Sequence, residues 1–304
     1  MGAFPAPDLT MTALRLMVSR HSAFYSPLIG GIAGGFFAQE GFEPSYAVVP
    51  AGRTVAELIA AGEIDVAQSA VSASWPFLER GEPAPLVHFA QINQRDGFFI
   101  AARSPDPAFA WSKLTAGQLM FVHGGQPQAM LAYMLHKHGV DLAHVQGINA
   151  GSTQSMMAAF RAGQGDTFHE QGPYPQQLEH EGVAYVVASV GEALGPVAFS
   201  SVAASRAWLA GADAPRFMRA YRKARQWVST APPVQIAAAE QSFFPDIDAA
   251  ALAGAIDRYQ RLGNWGGDAS IERRHYETAL DVFLHSRLIT KRHAYDTVVV
   301  PPPA

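Results

Sequence analysis

The sequence predicts an α/β fold with parallel sheets, built as two similar lobes. Strand-like and helix-like segments alternate over the first two thirds of the chain, and helical spacing takes over from about Arg216. A motif is also echoed. Ala51-Gly-Arg-Thr54 leads through a helical stretch to Ala61-Gly62-Glu63-Ile64-Asp65, and Ala150-Gly-Ser-Thr153 leads to Ala162-Gly163-Gln164-Gly165-Asp166. The composition, 49% hydrophobic and only 16% charged over 304 residues, provides a sizeable core and sets disorder aside.

Taken in order, Leu14, Leu16 and Val18 alternate with Arg15 and Met17 as in a strand. A Gly-rich helix is expected over 27–39, a strand over 45–49, and a helix over 54–61 with Val55, Leu58 and Ile59 on one face. Strands follow at 64–67, 86–92, 98–102 and 119–122. Helical spacing returns over 127–138, where Met130, Leu131, Met134 and Leu135 make the buried stripe and Pro127 suits the first turn. The last third reads as helices at 216–229, 234–241, 249–262 and 270–288. In the two echoed units, Gly62 and Gly163 take the positive-φ position that ends a helix. Thr54 and Thr153 are placed to cap its start. Trp75, Trp111, Trp227 and Trp265 read as core.

Two such lobes leave a cleft between them, a favoured place for a ligand. Helix N-termini at 52–54 and 151–153, with the turn at 123–128, would aim free backbone N–H groups into it. A net charge of −4 with no basic stripe argues against nucleic acid. The absence of cysteine removes disulfides, thiolate ligands and thiol nucleophiles together. His136 and His138 point to different helix faces, and no His/carboxylate cluster has ligand spacing, so neither a metal nor a cofactor is expected. No nucleophile elbow, Walker A or dinucleotide fingerprint is present. Residues 1–8, interrupted by Pro5 and Pro7, lack a signal-peptide pattern, and no apolar run is long enough to span a membrane. The expected location is therefore periplasmic or membrane-associated if a leader has been removed, and cytoplasmic otherwise.

Five pieces in order carry a resemblance. They are Tyr25-Ser-Pro-Leu followed by Gly35-Phe-Phe-Ala-Gln-Glu-Gly41, then Ala56-Glu-Leu-Ile-Ala-Ala-Gly-Glu-Ile-Asp65-Val, then Gly124-Gly-Gln-Pro-Gln-Ala-Met-Leu131, then Ala159-Phe-Arg-Ala-Gly-Gln-Gly-Asp166, and finally Leu262-Gly-Asn-Trp265. Together they resemble the solute-binding proteins of ABC importers, in the branch for nitrate, sulfonates, taurine and thiamine-pyrimidine precursors. The resemblance implies a two-lobe type II periplasmic-binding-protein fold that closes by hinge motion. Lobe 1 would hold 1–95 plus 200–304, and lobe 2 would hold 96–199. Carried over by position, ligand contacts would come from Ser22 and Tyr25, then Gln68, Ser69 and Ser72, then Gly125, Gln126 and Gln128, and finally His169 and Glu170. The pyrimidine synthase of this branch depends on a cysteine-rich stretch, and a desulfinase of the same fold needs a cysteine nucleophile. This chain has neither.

The individual residues keep two readings each. Tyr25 either faces the cleft or packs under the first helix. Glu170, in a loop over 169–173, either accepts hydrogen bonds from an amine- or amidine-like ligand, or is a solvated loop glutamate or a hinge salt bridge. Arg53 either pairs an anion or lies on the surface, and Arg95 and Asp96 read as hinge residues. The leading function is a monomeric solute-binding protein that presents a small heteroaromatic or amide-bearing molecule to importer membrane subunits. The alternative is a cytoplasmic lyase, decarboxylase or hydrolase of the same fold, acting on a small aromatic acid with His169 and Glu170 as its acid/base pair. An orphan sensor of the same two-lobe form is a third outcome.

Overall fold

The computed structural model describes residues 11–304, so the Pro5 and Pro7 stretch lies outside the described residues. Strand β1 (Thr12–Val18) buries Leu14, Leu16 and Val18, as the alternation requires. A 3-10 turn over Ala23–Tyr25 opens helix α1 (Ser26–Ala33). The single helix expected over 27–39 is two, because the chain breaks at Gly34-Gly35 before α2 (Phe36–Gln39). There follow β2 (Phe42–Val48), α3 (Val55–Ala60), β3 (Val66–Ser69), α4 (Trp75–Glu79) and β4 (Val87–Asn93). The chain then crosses to a second sheet with β5 (Phe98–Ala102), β6 (Gln118–Phe121), α5 (Gly125–Lys137), β7 (Gln146–Ile148), α6 (Thr153–Arg161), β8 (Thr167–Gln171), α7 (Tyr174–His180) and β9 (Tyr185–Ser189). Helix α8 (Val190–Leu194) begins the return, and β10 (Ser200–Ala204) rejoins the first sheet. The rest is helical: α9 (Arg206–Leu209), α10 (Asp213–Thr230), α11 (Pro233–Glu240), α12 (Ala249–Arg261), α13 (Arg273–His285) and α14 (Tyr295–Val298).

The strand orders are β2-β1-β3-β10-β4 and β7-β6-β8-β5-β9. The sheets are mixed rather than purely parallel as expected. Each takes in one antiparallel strand, β10 in the first and β5 in the second. Both of these are the first strand after a crossover, so they enter their sheet from the opposite end.

The echoed motif is structural. Gly62 and Gly163 have φ of 67° and 92°, in the left-handed region. The aspartate that follows performs the same task twice: Asp65 Oδ2 accepts from the Arg15 N–H at 2.8 Å, and Asp166 Oδ2 from the Gln118 N–H at 2.7 Å. Thr54 caps α3 in a full capping box with Glu57. In the second unit the cap is Ser152 rather than Thr153, which releases the Thr153 hydroxyl for other use.

The core stripe on α5 is buried as expected, as are Trp75 and Trp265. Trp111 and Trp227 are only half-buried at the core's edge. The C-terminal helices brace the crossovers. The Tyr259 hydroxyl donates to the Gly97 carbonyl at 2.9 Å and accepts from the Gly172 N–H at 2.7 Å. The Trp265 indole N–H donates to the Phe24 carbonyl and to Asn93 Oδ1.

Asp96, in the first crossover, is fully buried, and its Oδ1 accepts from the Phe98 N–H at 2.7 Å. Burial pushes its carboxyl up to about 7, against the pull of that N–H. Between about pH 4 and 7 the folded chain therefore holds a proton that the unfolded chain has lost, so this group makes stability fall as pH rises through that window. Asp96→Asn keeps the acceptor and removes the titration. Thermal melts should show the variant's melting temperature, relative to wild type, rising by several degrees from about pH 4 to about pH 8.

Candidate functional site

A cavity of about 930 Å³ lies between the two sheets, at the carboxyl ends of β1, β3 and β8 and the N-terminus of α5. Ligand crevices of α/β sheets form at such strand ends. Its polar side is made by Ser19 and Arg20 after β1, Tyr25, Gln68 and Ser69 on β3, Gln171 ending β8, and Ser200 starting β10. Its apolar side is made by Val49, Val55, Ala56, Phe77 and Pro127, with Phe283 from α13.

Several polar groups are already committed. Gln68 Oε1 accepts from the Ser19 N–H and hydroxyl, at 2.9 and 2.7 Å. The Ser72 hydroxyl donates to Gln126 Oε1 at 2.8 Å, and Gln126 Nε2 donates to the Phe199 carbonyl at 2.9 Å. These bonds join the N-terminus of α5 to the first sheet's side of the cavity. Gln171 Oε1 and the Ser200 hydroxyl are buried beside the Tyr25 phenol, and neither makes a well-formed hydrogen bond to any other group among the described residues. Burial raises the Tyr25 phenol above its usual range, despite Gln171, Arg20 and Ser200 acting in the other direction, so it faces the cavity as a neutral hydroxyl.

An ion pair also links the sheets. Arg20 Nη1 lies 2.7 Å from Glu170 Oε1, with the glutamate side chain wholly buried and the arginine 26% exposed. Glu170 also accepts from the Thr153 hydroxyl at 3.0 Å and from the Gln171 N–H at 2.8 Å. Burial opposes the Arg20 charge, but Glu170 outweighs it and holds the guanidinium firmly protonated. Arg20 thus brings a cation to the cavity whose charge is already balanced from the other sheet.

Residues 23–234 match the family described as NMT1/THI5 like. The chain belongs to this family. Its NMT1/THI5-like sequence is 28% identical over 298 residues to "Putative binding protein YtlA" of Bacillus subtilis (strain 168), covering 95% of this chain and 88% of that one. Two solved structures show the same fold. The periplasmic aliphatic sulphonate binding protein SsuA from Escherichia coli superposes with a TM-score of 0.73 at 18% identity, over 95% of this chain and 92% of that one. The ligand-binding component of an ABC-type import system from Staphylococcus aureus, with zinc bound, superposes with a TM-score of 0.74 at 13% identity, over 96% and 97%. The NMT1/THI5-like chain therefore has the fold of these two solute-binding proteins, the periplasmic-binding-protein fold. No helix among its described residues is long and apolar enough to cross a membrane.

Of the residues singled out in the sequence, Tyr25, Gln68, Ser69, Ser72, Gly125 and Gln126 line the cavity of this NMT1/THI5-like protein, and so does Arg53, paired with Glu63 at 2.9 Å. Four others, Ser22, Gln128, His169 and Glu170, do not. Ser22 is buried, caps the turn before α1 and donates to the Gly172 carbonyl at 2.6 Å. Gln128 folds back to accept from the Gly124 N–H at 2.6 Å. Glu170 is sequestered by Arg20. The stretch expected as a loop over 169–173 begins as the end of β8, where consecutive side chains point to opposite faces, so Gln171 rather than Glu170 reaches the cavity. His169 stacks on Phe98 at 4.5 Å, and burial pushes its ring down to about 3 and so keeps it neutral. The acid/base pair of the enzyme reading is therefore off the cavity lining. The helix start at 151–153 does not line the cavity either, because Thr153 serves Glu170. Arg95 donates to the Gly191 carbonyl at 3.1 Å, between the two crossovers.

Sequence reasoning missed Arg20, Gln171, Ser200 and Phe283. Gln171 had a usable signal in the strand alternation of 167–171. Phe283 had none, since it reaches the cavity from a helix more than 200 residues beyond β3.

Proposed function

We propose that this chain is the solute-capturing component of an ABC importer and takes a small, planar, uncharged molecule carrying both hydrogen-bond donors and acceptors, of the heteroaromatic or amide-bearing kind. The two lobes, 1–95 with 200–304 and 96–199, close on it about the crossovers. The observation that carries the reading is the group of neutral polar side chains on the cavity lining, the Gln171 amide with the Ser200 and Tyr25 hydroxyls, of which Gln171 Oε1 accepts no well-formed hydrogen bond among the described residues. Leaving such an acceptor unpaired is unfavourable, so it favours a solute that brings an N–H or O–H. Nitrate and sulfonates bring acceptors alone. The cation on the polar side, Arg20, is already neutralised by Glu170, which further weakens the case for an inorganic anion.

Native mass spectrometry of the purified chain should recover a stoichiometric, chemically unchanged small molecule. Calorimetry should then rank 4-aminopyrimidine and nicotinamide above nitrate and ethanesulfonate, and Gln171→Leu should weaken the neutral ligands about tenfold. Tighter binding of either anion would overturn the reading, and conversion of a recovered molecule into a new product would favour an enzyme.

A further inference from the structure

We infer that the solute has two parts, a polar head held at Gln171 and Ser200 and an apolar extension held between Val55, Phe77 and Phe283. The inference rests on the solute-binding reading above and specifies the ligand class further.

The first support is size. A cavity of about 930 Å³ corresponds to on the order of thirty waters of liquid volume, and a single polar ring would displace only a minority of them. The second is the chemistry of the remaining wall. Val55 and Ala56 present the first turn of α3 and pack in one apolar cluster with Phe77 of α4, and Phe283 from α13 also lines the cavity, against the start of α4. Phe283 is fixed edge-on to Trp75, with ring centroids 4.8 Å apart, so the wall is preformed. The third is the state of the nearby charges. The Arg80 guanidinium covers Phe77 at 4.9 Å from its centroid and is held by Glu82 at 2.8 Å. Arg53 is held by Glu63, and Glu57 is taken up in the capping box of α3. Each charge at this end is already partnered, so the wall selects for apolar surface, whose burial expels water at a gain proportional to area.

The expected gain is about fourfold in affinity per methylene buried. The probes are 4-aminopyrimidine and its 5-methyl and 5-propyl derivatives, titrated calorimetrically into the full chain. The propyl compound should bind about fifteenfold tighter than the methyl one. Ala73 lines the cavity and packs against the same apolar cluster as Val55; filling that end with Ala73→Leu, or removing its wall with Phe77→Ala, should bring the propyl-to-methyl ratio close to one. Both sites are only half-buried, so at least one variant should fold, as circular dichroism would verify. If the parent pyrimidine binds but propyl gives no gain, or if the gain survives in both variants, the two-part solute is wrong while the solute-binding reading stands. If none of the three compounds binds, the heteroaromatic reading fails and takes this inference with it.

Discussion

Replacing Arg20 with methionine should cost about 3 kcal/mol of folding stability in urea titrations, while Arg20→Met combined with Glu170→Gln should recover most of that loss. The asymmetry follows from the surroundings of Glu170. Its side chain is fully buried, and besides Arg20 it has, among the described residues, only the Thr153 hydroxyl and the Gln171 N–H. Removing Arg20 strands an anion in the interior, and breaking a buried pair from one side typically costs about 3–5 kcal/mol. Neutralising both partners removes the stranded charge, and the side-chain amide of the double variant can still accept from Thr153. Because the pair joins β8 of the second sheet to the end of β1 in the first, the single variant should also show a larger radius of gyration in solution scattering than the double variant. A loss below about 0.5 kcal/mol, the scale of an exposed surface pair, would mean that the pair does not hold the sheets together.

The same pair shows where sequence reading stops. The periodic helices of the last third, the strands at β1, β4, β5 and β6, and the repeated helix–Gly–x–x–Asp unit were legible because each depends on local spacing. In both units the aspartate serves the neighbouring strand's N–H, which is why the motif carries its own geometry. For Glu170 a salt bridge was among the roles that the sequence offered, but its partner was not legible. Its partner Arg20 is 150 residues away, and neither residue has a pattern that names the other. Reading 169–173 as a loop also hid which residue lines the cavity, Gln171 rather than Glu170, since a strand turns adjacent side chains to opposite faces. Similarly, Thr153 was expected as a cap. The cap went to Ser152 beside it, and that one-residue shift is what supplies Glu170 with a hydroxyl. The sheets' antiparallel strands escaped for a different reason: strand direction is set by the crossovers, not by the residues of β5 or β10.

The crossovers themselves are close enough for a single methyl group to test. Gly191, in the first turn of α8, lies against the backbone of Asp96 in the other crossover. A Cβ at position 191 would overlap the Asp96 carbonyl oxygen and sit 3.1 Å from its carbonyl carbon and amide nitrogen. These atoms are backbone and cannot rotate aside, and Asp96 is fixed by the Phe98 N–H. The Gly191 carbonyl also accepts from Arg95 at 3.1 Å, so the contact is held from both crossovers. Gly191→Ala should therefore cost about 3 kcal/mol, the upper range for overpacking a tight site. Relief requires the crossovers to separate, which would change the angle between the sheets and weaken solute binding along with stability. Gly254→Ala is the matched control. It adds the same methyl in α12, where nothing lies within 4 Å of the new Cβ, and should stabilise the chain by about 0.5–1 kcal/mol through helix propensity. Equal behaviour of the two alanines would show that the contact between crossovers yields without strain. Loss of both stability and affinity in Gly191→Ala alone would identify this contact as the point where closure of the cavity is set.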